Sequence, residues 1–321
     1  MLRLTLRFDL KKSPAHSLLL TKFLYPQEVG RFIESRDWER VLGEHPRKAI
    51  QRFIDEGLLE PVELPELLAR CYKVVDLQEM LKQRGLSTSG RKDDLINRLI
   101  EADPEGMRRA VAGVTLLKCS QQGRQLAEEY LAQEQVKRER AERDVIEALA
   151  KHRFKEAALI MASYEAGQVF PRGMGIDWRH YDPSRDIELL VAIFQLRPRC
   201  LSHLSDAQLE KVRIAAGMCV LMWNVGQATE WLESNETQEL GLPYEVAMLT
   251  VKSYAQFRVE LNHLRQLGYK WVGVITCNDN NVCESCRKLS ARRYAIDKVP
   301  ELPYEGCTSE ICRCSIVGYW Q

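Results

Sequence analysis

Six of the ten cysteines in this 321-residue chain fall between Cys277 and Cys314, and no other feature restricts its folding as tightly. Their spacing is Cys277-x5-Cys283-x2-Cys286-x20-Cys307-x4-Cys312-x-Cys314. Residues 270–320 offer too few apolar side chains to hold a compact module unaided. Cys283-x2-Cys286 is a knuckle that places two thiolates on one ion, and a second sulfur group follows after a loop. That is the arrangement of a ribbon-like structural zinc site. The start MLRLTLRFDLKK has no signal-peptide core or cleavage site, so the cluster favours a metal over disulfides. The expected ligands are Cys283 and Cys286, then Cys312 and Cys314, with Cys307 competing for one place and Cys277 the outlier in spacing. No histidine follows His263, so an all-sulfur, closed and therefore structural Zn2+ site is expected. A redox Cys-x2-Cys pair would need a βαβ context that is not visible here.

Cys71, Cys119, Cys200 and Cys219 are scattered in or beside helical patterns and read as buried thiols. Met1 to Leu10 alternates like a strand, with Leu2, Leu4, Leu6 and Phe8 on one side. Helical patterns follow at 26–34, 46–55 (closed by Gly57) and 64–71. Another opens at Pro104 and contains Met107, Val111, Val114 and Leu117, and the pattern is helical again from 122 to 167. Lys137 to Arg153 carries six basic and four acidic side chains, an exposed helix face laced by i,i+4 pairs. Phe170 to Ser184 reads as a structured loop, ahead of helices at 186–195, 206–233 and 243–267, the last closed by Gly268. Asp177, Asp182, Asp186 and Glu188 sit around that loop and a helix start, where capping is their ordinary role. Trp271 to Ile275 and Ser315 to Trp320 read as strands.

Residues 73–102 carry two short apolar stripes. Leu77, Met80 and Leu81 share one face, and Leu95, Ile96, Leu99 and Ile100 another, so two helices can meet across a very small core. Gly85 supplies a left-handed end to the first helix, Leu86 fills the gap, and Ser89 is placed to cap the second. The second helix would begin with free N–H groups from Ser89 to Lys92, an end that attracts phosphate. Lys82, Arg84, Arg91, Lys92 and Arg98 oppose only Asp93 and Asp94 in that stretch. With a formal net charge of +1 for the whole chain, nucleic-acid attraction has to come from such a local face.

This segment resembles the SAP motif, a small helix-turn-helix-like DNA-binding module, through Leu77, Leu81, Gly85-Leu86, Ser87 to Lys92, Leu95 and Arg98-Leu99. Lys73 departs from the usual Ser or Thr cap. The resemblance implies binding of double-stranded DNA without catalysis, with Lys82, Arg84, Ser89, Gly90, Arg91, Lys92 and Arg98 as DNA-contact candidates. The cysteine module in turn resembles the C-terminal end of the phage Mu F-like minor head proteins. Asp279, Cys283, Cys286, Leu289, Leu302-Pro303 and Cys312-Arg313-Cys314 carry that likeness. Tyr304-Glu305-Gly306-Cys307 stands where that family has a histidine.

The expected fold is mainly α: a multi-helical body with an embedded SAP-like module and a small C-terminal zinc-binding module, α+β or ribbon-like. The expected segments are 1–72 (a strand plus helices), 73–104 (DNA-binding), 105–268 (helical body) and 269–321 (cysteine-rich). The leading expectation is a non-enzymatic, cytoplasmic DNA-binding protein, with protein partners or self-association as further contacts. Two alternatives are a phage-related head-morphogenesis or DNA-packaging protein and a DNA-processing enzyme targeted by the SAP-like module. The chain has no Gly-rich phosphate loop and no His-Glu-x-x-His. It also lacks an apolar run long enough to span a bilayer.

Overall fold

Short helices with prolines in their first turns build the first part of the chain. The computed structural model describes residues 13–173, 175–222, 243–277, 279–304, 306–309 and 311–320. The strand expected at Met1 to Leu10 lies outside these residues, as does the end of the helix expected over 206–233. The chain divides into two compact units, Met1–Val136 and Lys137–Gln321.

The first unit runs α1 (Pro14–Thr21), β1 (Gln27–Glu28), α2 (Gly30–Ile33), α3 (Arg36–Leu42), α4 (Pro46–Asp55) and β2 (Leu59–Pro61). Then come α5 (Leu64–Cys71), α6 (Val74–Gln83), α7 (Lys92–Ala102), α8 (Pro104–Ala110) and β3 (Leu116–Cys119). Helix α9 (Gln121–Ala150) crosses the division between the units. Prolines at N1 or N2 of α1, α4, α5 and α8 have no N–H to leave unpaired. The strands form an antiparallel sheet in the order β1-β3-β2 that the sequence pattern did not reveal. Two corrections follow from it. The helix expected from Pro104 through Leu117 stops at Ala110, the chain turns at Gly113 (φ 90°), and Leu116–Cys119 alternates in burial as β3. The segment expected as helix at 26–34 holds β1 and only a single helical turn.

The pair α6 and α7 is thus an excursion between two neighbouring strands. Leu77, Leu81, Leu95, Ile96 and Leu99 are buried together as the stripes required. Leu68 of α5, Met107 of α8 and Val111 at the end of α8 extend that core on both sides. Cys119 is buried as read, whereas Cys71 is exposed, lying at the end of α5 whose buried residue is Leu68.

In the second unit the end of α9 joins α10 (Phe154–Ala166), α11 (Ser184–Gln195), α12 (Asp206–Met222) and α13 (Tyr244–Gln266) around one core. The charged face of α9 carries the expected i,i+4 pairs, Arg138–Glu142 at 2.8 Å and Arg140–Asp144 at 3.7 Å. Buried Glu165 accepts from the Arg172 backbone N–H (2.7 Å), which fixes the loop after α10. Cys219 is buried, but Cys200 is exposed in a 3-10 turn that buries Leu201 instead. The chain ends with β4 (Trp271–Ile275), α14 (Glu284–Ser290), β5 (Arg293–Ala295) and β6 (Ser315–Tyr319), an antiparallel sheet in the order β5-β4-β6. Phe257, Leu261 and Leu264 of α13 pack against Val272, Val274, Ile296, Leu302 and Ile316. The last turns of α13 therefore supply three of the eight buried residues in the core of the cysteine-rich module. Among the described residues, no helix is long and apolar enough to cross a membrane.

The start of α9 docks closely on Leu58, the residue just before β2. A Cβ built on Gly123 would stand 1.9 Å from the Leu58 carbonyl oxygen, and Ser120 N–H donates to that same carbonyl at 2.9 Å. Gly123→Ala gains about 1 kcal/mol of helix propensity but forces two backbones apart, and overpacking costs about 1–3 kcal/mol. A net fall in the urea midpoint is expected; a rise, as propensity alone would give, would show that the two elements do not touch.

Candidate nucleic-acid interface and metal centre

The turn between α6 and α7 is held from within by side chains of those two helices. Gly85 ends α6 at φ 65°, as expected, and Gly90 takes φ 121°. A Cβ on Gly90 would meet Asp94 Cβ and Oδ2 at 3.0 Å, so the backbone can pass there only without a side chain. Arg98 donates from Nη1 to the carbonyls of Ser87 (2.6 Å) and Ser89 (3.0 Å), and Gln78 Nε2 donates to Thr88 O (3.2 Å). Three consecutive carbonyls are thereby engaged, and the N–H groups of Ser87 to Gly90 have no acceptor among the described residues.

The cap differs from the expectation. Arg91, not Ser89, is the N-cap of α7, and its backbone N–H donates to Asp94 Oδ2 at 2.8 Å. Ser89 instead shares a hydrogen bond with Ser87 Oγ at 2.9 Å. Asp76 does for α6 what Asp94 does for α7, accepting the N–H of Lys73 at 2.8 Å. This replaces the missing Ser or Thr: the acidic residue at the third position closes the cap from the opposite direction.

The five candidate cations separate into two groups. Lys82 and Arg91 are exposed and have no ion-pair partner among the described residues. Lys92 is half-buried, its Nζ donating to Ala69 O at the end of α5 (2.6 Å). Arg84 pairs with Asp103 at 2.8 Å and also donates to Met80 O. That Arg84 hydrogen bond is the main reason the Asp103 carboxyl sits below its ordinary range. Arg98 is committed to the turn. A single stretch of five cations thus supplies both the exposed charge and the bonds that hold its own scaffold.

The cysteines also converge. Sγ atoms of Cys283, Cys286 and Cys307 lie within 4.8 Å of one another, and so do those of Cys286, Cys312 and Cys314. Cys286, buried, belongs to both groups, whereas Cys277 is exposed and belongs to neither. Cys283 caps α14 and its sulfur accepts the Cys286 N–H at 3.4 Å. Burial pushes the Cys283 thiol up, but the N–H groups of Cys286 and Thr308 and the neighbouring thiols outweigh it, leaving it lowered to about 6. The Cys314 thiol beside Cys312, opposed by burial and helped by the N–H groups of Cys314 and Tyr304, brings Cys312 down to about 5. Burial holds Cys286 and Cys307 up, and hydrogen bonding to Cys312 does the same for Cys314. Two sulfurs are therefore poised as thiolates, with three more donors beside them. Asp279 braces the pocket, meeting Arg313 at 2.7 Å and capping its own loop through Asn281 N–H at 3.0 Å. This gives the Asp279 and Cys-Arg-Cys residues a local structural reason for being there.

Among the described residues these are the two places where three or more metal-type donors gather. Asp177 and Asp182 serve as caps, accepting from Arg179 N–H and Ser184 N–H, and Asp186 accepts the Tyr181 hydroxyl. The capping expectation holds for Asp177, Asp182 engages the N–H at the first residue of α11, and Asp186 serves a side-chain hydroxyl instead. The signals that the sequence reading passed over were Asp76 and Asp94, each three residues after a helix cap, and Gln78 facing the turn.

Comparison with known proteins finds one family: residues 72–104 match the SAP domain. No curated protein and no solved structure matches the chain. A SAP domain is generally a DNA-binding module, and its presence supports nucleic-acid binding by this protein. None of the comparisons supports the resemblance of the cysteine module to phage head proteins.

The two Arg98 bonds make a test of what that residue does. Arg98→Ala should lower backbone order parameters across Leu86 to Gly90 while costing only about 1 kcal/mol of stability. Arg98→Lys keeps the charge on a shorter stem, whose ammonium falls short of the place from which Nη1 reaches both carbonyls. It should therefore leave the turn nearly as mobile as Arg98→Ala does. Full order in Arg98→Lys would show that the clamp is not what fixes the turn.

Proposed function

We propose that this protein binds double-stranded DNA through residues 72–104 and carries one structural zinc ion on its C-terminal cysteines. The observation that carries the DNA reading is the turn itself. Its carbonyls are drawn inward by Arg98 and Gln78, so its N–H groups, followed by the start of α7, are available to a phosphate. Arg91 and Lys82 bring exposed positive charge to the same module. Ser89 and Gly90 offer backbone, Lys92 adds its field at the helix start, and Arg84 and Arg98 keep the surface in shape. Contacts of this kind meet phosphates and carry no direct sequence code, so binding should depend on salt and vary little between duplexes.

The donor set fits zinc. A tetrahedron with Zn–S bonds of about 2.3 Å sets sulfurs roughly 3.8 Å apart, and Cys283 and Cys307 Sγ lie 3.7 Å apart. With four thiolates no position is left for water, which makes the role structural. The four ligands come from Cys283, Cys286, Cys307, Cys312 and Cys314, and Cys286 is the one shared by both groups.

Replacing Lys82 and Arg91 together by Glu should weaken duplex binding at least about tenfold at moderate salt, and flatten the dependence on log salt, with helix content unchanged. Fluorescence anisotropy on two unrelated duplexes measures both; unaltered affinity would sink the assignment. Cys286→Ser should abolish zinc retention and expose the segment after Gly268 to protease, whereas Cys277→Ser should keep the metal. Elemental analysis of chelator-free protein decides this: a zinc-to-chain ratio near zero in the unsubstituted protein would refute the site.

A further inference from the structure

The sheet of the second unit has two faces of different character. Val272 and Val274 point inward to α13, so by strand alternation Trp271, Gly273 and Ile275 lie on the opposite face. Antiparallel pairing sets Tyr319 and Ala295 beside Trp271, and Val317 and Arg293 beside Gly273, on that same outer face. Trp271 is 43 % exposed and Ile275 45 % exposed. The Tyr319 ring lies across Gly273, where a Cβ would stand 2.6 Å from the ring, and the Arg293 guanidinium carbon sits 4.3 Å from the ring centre. The strands WVGVI, RYA and SIVGY contain no acidic residue. Lys270, Arg292 and Arg293 at their ends are exposed and have no ion-pair partner among the described residues.

From the juxtaposition of Trp271, Tyr319 and Arg293 on an open sheet face, we infer that this face is a stacking platform for single-stranded nucleic acid. The chemistry is specific to that class of ligand. The exposed Trp271 ring offers a flat surface to an unstacked base, which a duplex keeps hidden, and the Arg293 guanidinium, stacked on the half-buried Tyr319 ring, offers a second planar surface that carries charge. Arg293 lies on that face through its pairing with Gly273 and has no ion-pair partner among the described residues, so the edge of its guanidinium can meet a phosphate between those bases. A protein partner with an apolar face would bury the Arg293 guanidinium without a counter-charge, whereas a phosphodiester supplies one. The site is separate from the α6–α7 turn, which meets phosphates through backbone N–H groups and has no exposed aromatic ring in the turn.

The test uses the full-length protein with saturating unlabelled duplex, so that residues 72–104 are occupied. A labelled dT strand of about 15 nucleotides is then titrated, with an rU strand of equal length as a second arm to separate DNA from RNA. Trp271→Ala should weaken strand binding about tenfold and leave duplex affinity unchanged. Trp271→Phe should retain most of the strand affinity, and Arg293→Ala should lose several-fold. The Lys82 and Arg91 pair of substitutions should show the reverse pattern, losing duplex and keeping strand. Unchanged near-ultraviolet circular dichroism confirms that the variants fold. The inference is overturned if neither strand binds the duplex-saturated protein or if Trp271→Ala binds as the parent does. It is equally overturned if Trp271→Ala alters sedimentation rather than strand binding, which would make the face a self-association surface.

Discussion

Backbone hydrogen-bonding groups have to be satisfied somewhere, and the turn between α6 and α7 satisfies them asymmetrically. Arg98 and Gln78 take the carbonyls of Ser87, Thr88 and Ser89 from the helix side, and nothing among the described residues takes the neighbouring N–H groups. A turn built this way presents donors outward. Arg98 is the costly part of the arrangement, because a guanidinium spent on carbonyls is not available to a phosphate. What it gives in return is order, since a preformed donor surface loses less conformational freedom on binding. Asp94 contributes in the same sense, closing the cap of α7 while its acidic partner Asp93 favours the positive end of the helix dipole. Arg91 is repelled by that dipole and remains exposed, a local cost that an anion at the helix start would offset.

How much of this could be read from residues alone depends on the range of the interactions. The α6–α7 core was legible because Leu77, Leu81, Leu95, Ile96 and Leu99 repeat at helical spacing and need only each other. Gly85 and Gly268 announced helix ends for the same local reason. The three-stranded sheet of the first unit was not legible. Leu59–Pro61 and Leu116–Cys119 are short, and they pair across more than fifty residues of intervening chain, so neither strand carries a pattern of its own. Without that pairing, Val114 and Leu117 extend the preceding helical spacing and misplace the end of α8. The Ser89 cap failed through competition: Asp94 reaches back to the Arg91 N–H and moves the helix start by two residues.

The cysteine set was legible by its crowding, while its geometry was not. Spacing alone gave Cys307 the standing of a competitor, whereas its sulfur lies beside Cys283. A gathering of thiols is electrostatically awkward without a cation, because each sulfur that ionises opposes the next. Backbone N–H groups at Cys283, and the Cys314 thiol beside Cys312, lower two of them, and the remaining three stay up beside those charges. A divalent metal would resolve that conflict, and thiolate ligands are the form it selects.

Position along the chain links the sulfur cluster to the sheet. Cys314 directly precedes β6, and Cys283 and Cys286 open α14 after β4. Cys286 gathers with Cys314, so the two chain segments meet at one point just beyond the strand ends. A zinc ion held there, as proposed, would fix how far β6 slides along β4. A strand that slips by one residue turns every side chain to the other face. In the observed register Ile316 faces α13 and Tyr319 stands opposite Trp271 on the open side. One residue of slip would drive Val317 inward and bury Tyr319 against Leu264, emptying the outer face of its ring. β6 is only five residues long, and its ladder alone holds this register weakly. A metal on those sulfurs would therefore do more than compensate for a small core: it would decide which aromatic residues the sheet presents.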